Sequence, residues 1–395
     1  MREQPLSPGA FTQRLGPLSF ITGIFLLNFM GRVSLAPLMP NIEAKLGLDH
    51  AQAGMLFLFM SVGYFLAVFS SGIVSQRLTH RRVILISALS VGVMLCLAPL
   101  AQGLYSLGAV CLGLGLSAGL YLPSGVAALT SFVRSQDWGK AMALHEMAPN
   151  GGMILAPLIA ELLLEGLTWR GVLILIGGLS LVLGLAYARR GRGGEEPGTA
   201  PSPAAVAELL RLPAVWLMVV FFALAIGASL GIYTMLPLYL VAERGFDQGW
   251  ANLMLAASRV PGLVMAFGAG WAHDRFGARA SLVAIFAVTG LATLTLGLSS
   301  GWLLVVAVFV QPAVTVCFFP VGFAALSLVA PPHLRGVAVS LATPLAFILG
   351  AGVLPAFLGW MGVHHSFGMG IAVFAGVVWL GGALAFALRP SPNGH

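Results

Sequence analysis

The sequence predicts an all-α polytopic membrane protein with twelve transmembrane helices arranged as two six-helix pseudo-repeats. Three observations carry that reading: an apolar composition, twelve long apolar runs, and a motif that recurs about half a chain later. Of the 395 residues, 58% are hydrophobic and only 8% charged, with a mean hydropathy of +0.96. A soluble domain carries about 25% charged residues, so a water-soluble globule of this length is excluded. Each bilayer crossing needs roughly 20 apolar residues.

Breaks at charged or Pro/Gly-rich positions delimit runs at about 17–40, 51–74, 82–101, 104–132, 140–164 and 170–188. The second half gives 213–241, 250–272, 280–299, 302–329, 337–360 and 365–388. The first run is too long for a signal peptide and no small-residue cleavage site follows it, so it is expected to be retained as a span. This yields an N-terminal bundle over 1–188, a linker over 189–212 and a C-terminal bundle over 213–395. The linker, rich in Arg, Gly and Pro, is too polar for lipid and reads as flexible.

Orientation follows from the basic residues. Arg2, Arg14, Arg77, Arg81, Arg82, Arg134, Lys140, Arg189, Arg190, Arg192, Arg211, Arg275, Arg279, Arg335 and Arg389 fall on one side, against Lys45, Arg170 and Arg244 on the other. That bias puts both termini and the linker in the cytoplasm, in a bacterial inner membrane. It also accounts for the net charge of +7, since the basic residues stand singly at run ends instead of forming a nucleic-acid patch. Cys96, Cys111 and Cys317 lie inside apolar runs without ligand spacing, so they read as packing residues, with no metal or cofactor expected.

The halves repeat. Pro123-Ser-Gly125-Val-Ala127-Ala128-Leu129 returns 197 residues later as Pro320-Val-Gly322-Phe-Ala324-Ala325-Leu326. Gly270-x-x-x-Asp274-Arg275-x-Gly277-x-Arg279 has a worn copy 198 residues earlier that keeps Gly72 and Arg77. Parallel repeats of this kind bind cargo between the halves near the bilayer midplane.

The complete Gly270–Arg279 motif resembles the cytoplasmic loop of the major facilitator superfamily, found between the second and third helices and again between the eighth and ninth. Twelve runs, a central linker and the repeat extend the resemblance over essentially the whole chain. It implies secondary transport by alternating access, with a gating role for Gly72, Arg77, Gly270, Asp274, Arg275, Gly277 and Arg279. In the family the acid of the motif helps to latch the halves outward. Here the N-terminal copy has Gln76 in place of that acid and Thr79 in place of the second glycine, so unequal latches are expected.

Ionisable side chains at membrane depth mark sites by default. Arg32 lies roughly 24 Å along the first run at about 1.5 Å per residue, and Arg259 lies inside the eighth. Asn28 shares a face with Arg32. Ser61 and Tyr64 in run two, and Tyr121 and Ser124 in run four, form further polar stripes. Guanidinium forks hold carboxylates bidentately, so a small organic anion, monocarboxylate-like, is the expected substrate. Helix packing is the competing account of Arg32, and interhelical hydrogen bonding that of Asn28 and the stripes.

Run five carries His145 and Glu146. Glu146, with His145 beside it, is a candidate proton-coupling acid, and an ion pair to Arg81, Arg82 or Arg134 is the alternative. Pro149-Asn150-Gly151-Gly152 partly resembles the fifth-helix motif of superfamily antiporters, which keeps proton-driven efflux of lipophilic or amphipathic compounds open. No His-Glu-x-x-His, Gly-x-Ser-x-Gly or phosphate loop is present in the sequence, so no catalytic residues are expected. A sensor would need a signalling domain beyond the linker and tails. The chain is expected to act as a monomer, with a small anion, protons and the bilayer as its partners.

Overall fold

A computed structural model of the protein describes residues 14–199 and 202–387. Arg2 and Arg389 of the basic tally therefore lie outside the described residues. The first six crossings are single elements: α1 (Leu15–Leu46), α2 (His50–Arg77), α3 (His80–Leu100), α4 (Leu104–Phe132), α5 (Ser135–Leu164) and α6 (Trp169–Arg190). A short helix, α7 (Pro203–Leu210), precedes the second half. Then come α8 (Pro213–Glu243), α9 (Gln248–Ala257), α10 (Val260–Leu298), α11 (Gly301–Val329), α12 (Pro332–His364) and α13 (Phe367–Leu384).

Among the described residues, eleven helices are long and apolar enough to cross a membrane. The eighth crossing, expected as one run over 250–272, is divided. It begins as α9, turns at Ser258 and Arg259, and resumes as the first part of α10. Pro261 contributes to the break because it offers no N–H to the preceding turn. Within α10 the chain reverses at Gly277, whose φ of +79° suits a residue without Cβ. That turn separates the eighth crossing from the ninth, so the twelve-helix plan is kept.

Side-chain caps place several helix starts. Asp49 accepts from Gln52 N at 2.8 Å while Gln52 accepts from Asp49 N, a reciprocal box that opens α2. Asp247 caps α9 by accepting from Trp250 N, and Ser366 caps α13 by accepting from Met369 N. The repeat also survives as a local irregularity. α4 turns at Leu120, and α11 turns at Val316 and Cys317, about 197 residues on.

Glycines set the closest approaches. Within the N-terminal half, a Cβ on Gly63 or Gly115 would strike the backbone of the facing helix, so α2 and α4 touch main chain to main chain. Between the halves, a Cβ on Gly54 would strike the Pro355 carbonyl, and one on Gly359 the His50 carbonyl. α2 and α12 are thus pressed together at the end away from the linker, the far end. Toward the linker end they part around a cavity of about 600 Å³, lined by Ser71, Gly72, Pro123, Ala207, Gly336 and Leu341 among others. The halves are closed at the far end and separated at the linker end.

The linker is not the free segment its composition suggests. His80 N donates to Glu196 O at 3.2 Å, Arg81 N to Gly194 O at 2.7 Å, and Gly198 N to Ser75 O at 2.8 Å. Thr79 and Pro197 form an antiparallel bridge, and Arg81 reaches Glu195 at 3.7 Å. Main-chain bonding, to which composition is blind, pins the segment across the worn loop.

Candidate functional site

Arg32 projects from α1 just before its turn at Ser34, and it is the one charged residue of Leu15–Val33. It is 6% exposed, and its guanidinium sits over the rings of Phe29 at 4.9 Å, Tyr64 at 4.5 Å and Phe347 at 5.7 Å. Phe347 belongs to α12, so this aromatic cage draws on both halves. Cation–π contact stabilises a buried guanidinium without neutralising it. The cage opens on a cavity of about 20 Å³ lined by Arg32, Phe57, Ser61, Leu230, Thr234 and Phe347 among others. Arg32, Ser61 and Tyr64 are therefore brought together.

Arg259 sits at the break in the eighth crossing. It donates to the Ser229 hydroxyl at 3.4 Å and to the Ser229 carbonyl at 3.1 Å, and it lies over the Tyr233 ring at 4.6 Å. Residues Gly227–Gly231 of α8 form a π-helical turn, whose widened bonding pattern presents a carbonyl sideways. Arg259 does not line the cavity of Arg32. Its anchor Ser229 is, however, the chain neighbour of Leu230, which does.

Among the described residues neither arginine is paired with a carboxylate. The Nε of each is buried without a hydrogen-bond partner. Buried donors are nearly always satisfied, so each guanidinium keeps capacity for a further acceptor.

The repeat explains the placement. Pro40 and Pro237 stand 197 residues apart, which makes Ser229 the counterpart of Arg32; Ser61 is likewise the counterpart of Arg259. Each half offers one arginine and one serine at corresponding positions, with the order exchanged. Ser229, Tyr233 and Phe347 escape the sequence reading, although aligning Pro40 with Pro237 would have found Ser229.

Other candidates lie elsewhere. Asn28 donates to Ser87 Oγ at 3.1 Å and to Ala118 O at 3.4 Å inside the N-terminal bundle. Ser124 bonds His80 Nδ1 at 3.2 Å near the linker end. Tyr121 donates to Ile21 O at 2.7 Å and meets His145 Nε2 at 3.1 Å. The structure does not bring these three to the arginines.

His145 is fully buried and stacks on Phe25 at 4.4 Å. Its Nδ1 lies 3.3 Å from Glu146 Oε1. The Tyr121 hydroxyl thus bridges the Ile21 carbonyl and the His145 ring. Among the described residues the expected alternative for Glu146 is not formed: Arg134 pairs with Asp137 at 2.9 Å and Arg81 with Glu195. Those carboxylates lie nearer in the chain or are docked there by the linker.

In the loop motif, Arg275 lies over Trp271 and Phe276, and Arg279 over Phe386. Asp274 is exposed and makes no ion pair among the described residues. Gly72 lines the linker-end cavity.

A Major Facilitator Superfamily model matches residues 21–271. The chain is 25% identical over 326 residues to the membrane sensor protein UhpC of Escherichia coli, covering 76% of this chain and 72% of that one. It is 26% identical over 278 residues to a probable sulfoacetate transporter, SauU, of Cupriavidus necator, covering 64% of each. In fold it is similar to an inward-facing, occupied bacterial homologue of the human lysosomal transporter Spinster, with a TM-score of 0.82, 15% identity, and coverage of 96% of this chain and 97% of that one.

Proposed function

The chain belongs to the Major Facilitator Superfamily, and we propose that its cargo is a small organic anion, monocarboxylate-like, held between the halves by Arg32 and Arg259. Membership makes it an integral membrane protein, not an enzyme, and the relatives named as transporters support secondary transport. The observation that carries the anion reading is the pair of buried guanidinium groups with orphaned Nε atoms and no carboxylate partner among the described residues. Ser61 and Tyr64 stand ready as hydroxyl partners beside Arg32, and the relative named for sulfoacetate supports the same class. The monomer works in a bacterial cytoplasmic membrane with its termini and linker inside. The loop motif gates it through Gly72, Arg77, Gly270, Asp274, Arg275, Gly277 and Arg279.

Proton coupling runs through His145 and Glu146. The half-exposed Glu146 carboxyl lies against the buried His145 ring, so the pair joins an accessible acid to a base packed inside the bundle. A proton gradient would thereby act on α5, one of the helices at the boundary between the halves.

Uptake of labelled sulfoacetate and of simple monocarboxylates into proteoliposomes tests the reading. Arg32→Ala and Arg259→Ala should each lower uptake about 10- to 100-fold, as expected for a lost charge-assisted bond. Arg190→Ala, on an exposed helix end, should not. Movement of a lipophilic compound in place of every anion would establish efflux instead. A second reading is supported by the relative named a membrane sensor. It requires saturable anion binding with no accumulation under any gradient.

A further inference from the structure

α5 contains Pro157, which has no N–H to return to the carbonyl four residues earlier. That carbonyl belongs to Met153, and it is satisfied from the other half: Tyr233 of α8 donates its hydroxyl to Met153 O at 3.0 Å. Both residues are buried. The same Tyr233 ring carries the Arg259 guanidinium on its face at 4.6 Å, while Ser229, one helical turn away, holds the fork. One side chain therefore touches both the seam between the halves and an arginine of the candidate site.

We propose that Tyr233 is a positioning residue that ties closure of the far end to the placement of Arg259. Its hydroxyl clamps α8 to α5 through the carbonyl that Pro157 leaves free, and its ring fixes the guanidinium against Ser229. Opening the far end separates α5 from α8, breaks the clamp and frees the tyrosine platform, so the arginine is presented differently to cargo in the two states. The clamp adds to an inter-half seam at the same end, where Gln248 donates to Pro37 O at 3.0 Å and to Asn41 Oδ1 at 2.6 Å, and Asn252 donates to Glu161 Oε2 at 3.0 Å. The role of Arg259 in binding rests on the anion reading above; the clamp itself does not.

The test uses spin labels at Gln102 and Ser300, exposed far-end positions on opposite halves, in protein without added anion. Tyr233→Phe removes the hydroxyl and keeps the ring. Pro157→Ala restores an N–H and so satisfies Met153 within α5. Each should raise the far-open population roughly fivefold, the effect of losing one hydrogen bond, and the double variant should do no more than either alone. Unchanged distances, or fully additive effects, would overturn the clamp. Tyr233→Leu, which also removes the platform, should weaken sulfoacetate binding further than Tyr233→Phe does; equal affinities in these two variants would overturn the positioning of Arg259. If the wild-type protein binds no anion, the anion reading fails while the label distances still decide the clamp.

Discussion

Arg32 and Arg259 differ in how much of their bonding the protein itself supplies. Arg32 has a cage of aromatic faces, whereas Arg259 has a serine hydroxyl, a carbonyl and a ring. Arg259→Lys should consequently keep the charge but lose the fork to Ser229, and in titration calorimetry carboxylate affinity should fall about tenfold. Both arginines are legible in the sequence because a charge in an apolar run is conspicuous. Asn28, Tyr121 and Ser124 are not separable from true cavity residues in that way. Spacing assigns a polar residue to a helical face, but which helix meets that face is decided by packing. Small residues show the same dependence. Gly115→Ala adds a methyl group where α2 and α4 already touch by backbone, at a cost of about 1–3 kcal/mol, and should lower the melting temperature. Gly54→Ala places its methyl between the halves at the far end and should shift the conformational balance more than it lowers the melting temperature, as read by the Gln102 and Ser300 labels.

The linker shows at element scale what composition hides. Its Gly, Pro and Arg content implies a flexible coil, and apolar periodicity cannot register main-chain bonds between residues 75–81 and 194–198. The worn loop has Gln76 in place of the acid, and the linker supplies Glu195 from outside to Arg81. That ion pair is exposed and contributes little by itself. Backbone docking matters more. At Gly198 any Cβ would collide with the Ser75 hydroxyl, and Gly194 has a φ of +76°. Gly198→Val should therefore undock the segment and make residues 191–199 readily cleaved in limited proteolysis, whereas Glu195→Gln should leave cleavage nearly unchanged. The break in the eighth crossing leaves Pro261 as its only trace in the sequence, and the π-helical turns in α8 leave none, since they alter hydrogen bonding without altering the apolar pattern.

Across the whole molecule, twelve crossings and a two-fold repeat were readable because lipid imposes length and the repeat imposes spacing. The state of the halves was not readable, since it depends on how glycine-lined surfaces close. With the far end shut, Asp274 makes no ion pair among the described residues, whereas the worn loop is already held by the linker. Asp274→Asn should accordingly change the label distances in the far-open state far more than Gln76→Asp changes them in either state; equal effects would count against unequal latches. The cavity beside Arg32 has a kinetic consequence. At about 20 Å³ it has room for about one water, and among the described residues no carboxylate pairs with the cation it encloses. A carrier passing through a closed form without cargo must bury a net charge in a nearly dry space, whereas one carrying an anion buries a neutral pair. Loaded transit is then faster than unloaded return, so exchange of anion for anion should outrun net movement in one direction, with the return of the unoccupied carrier setting the pace.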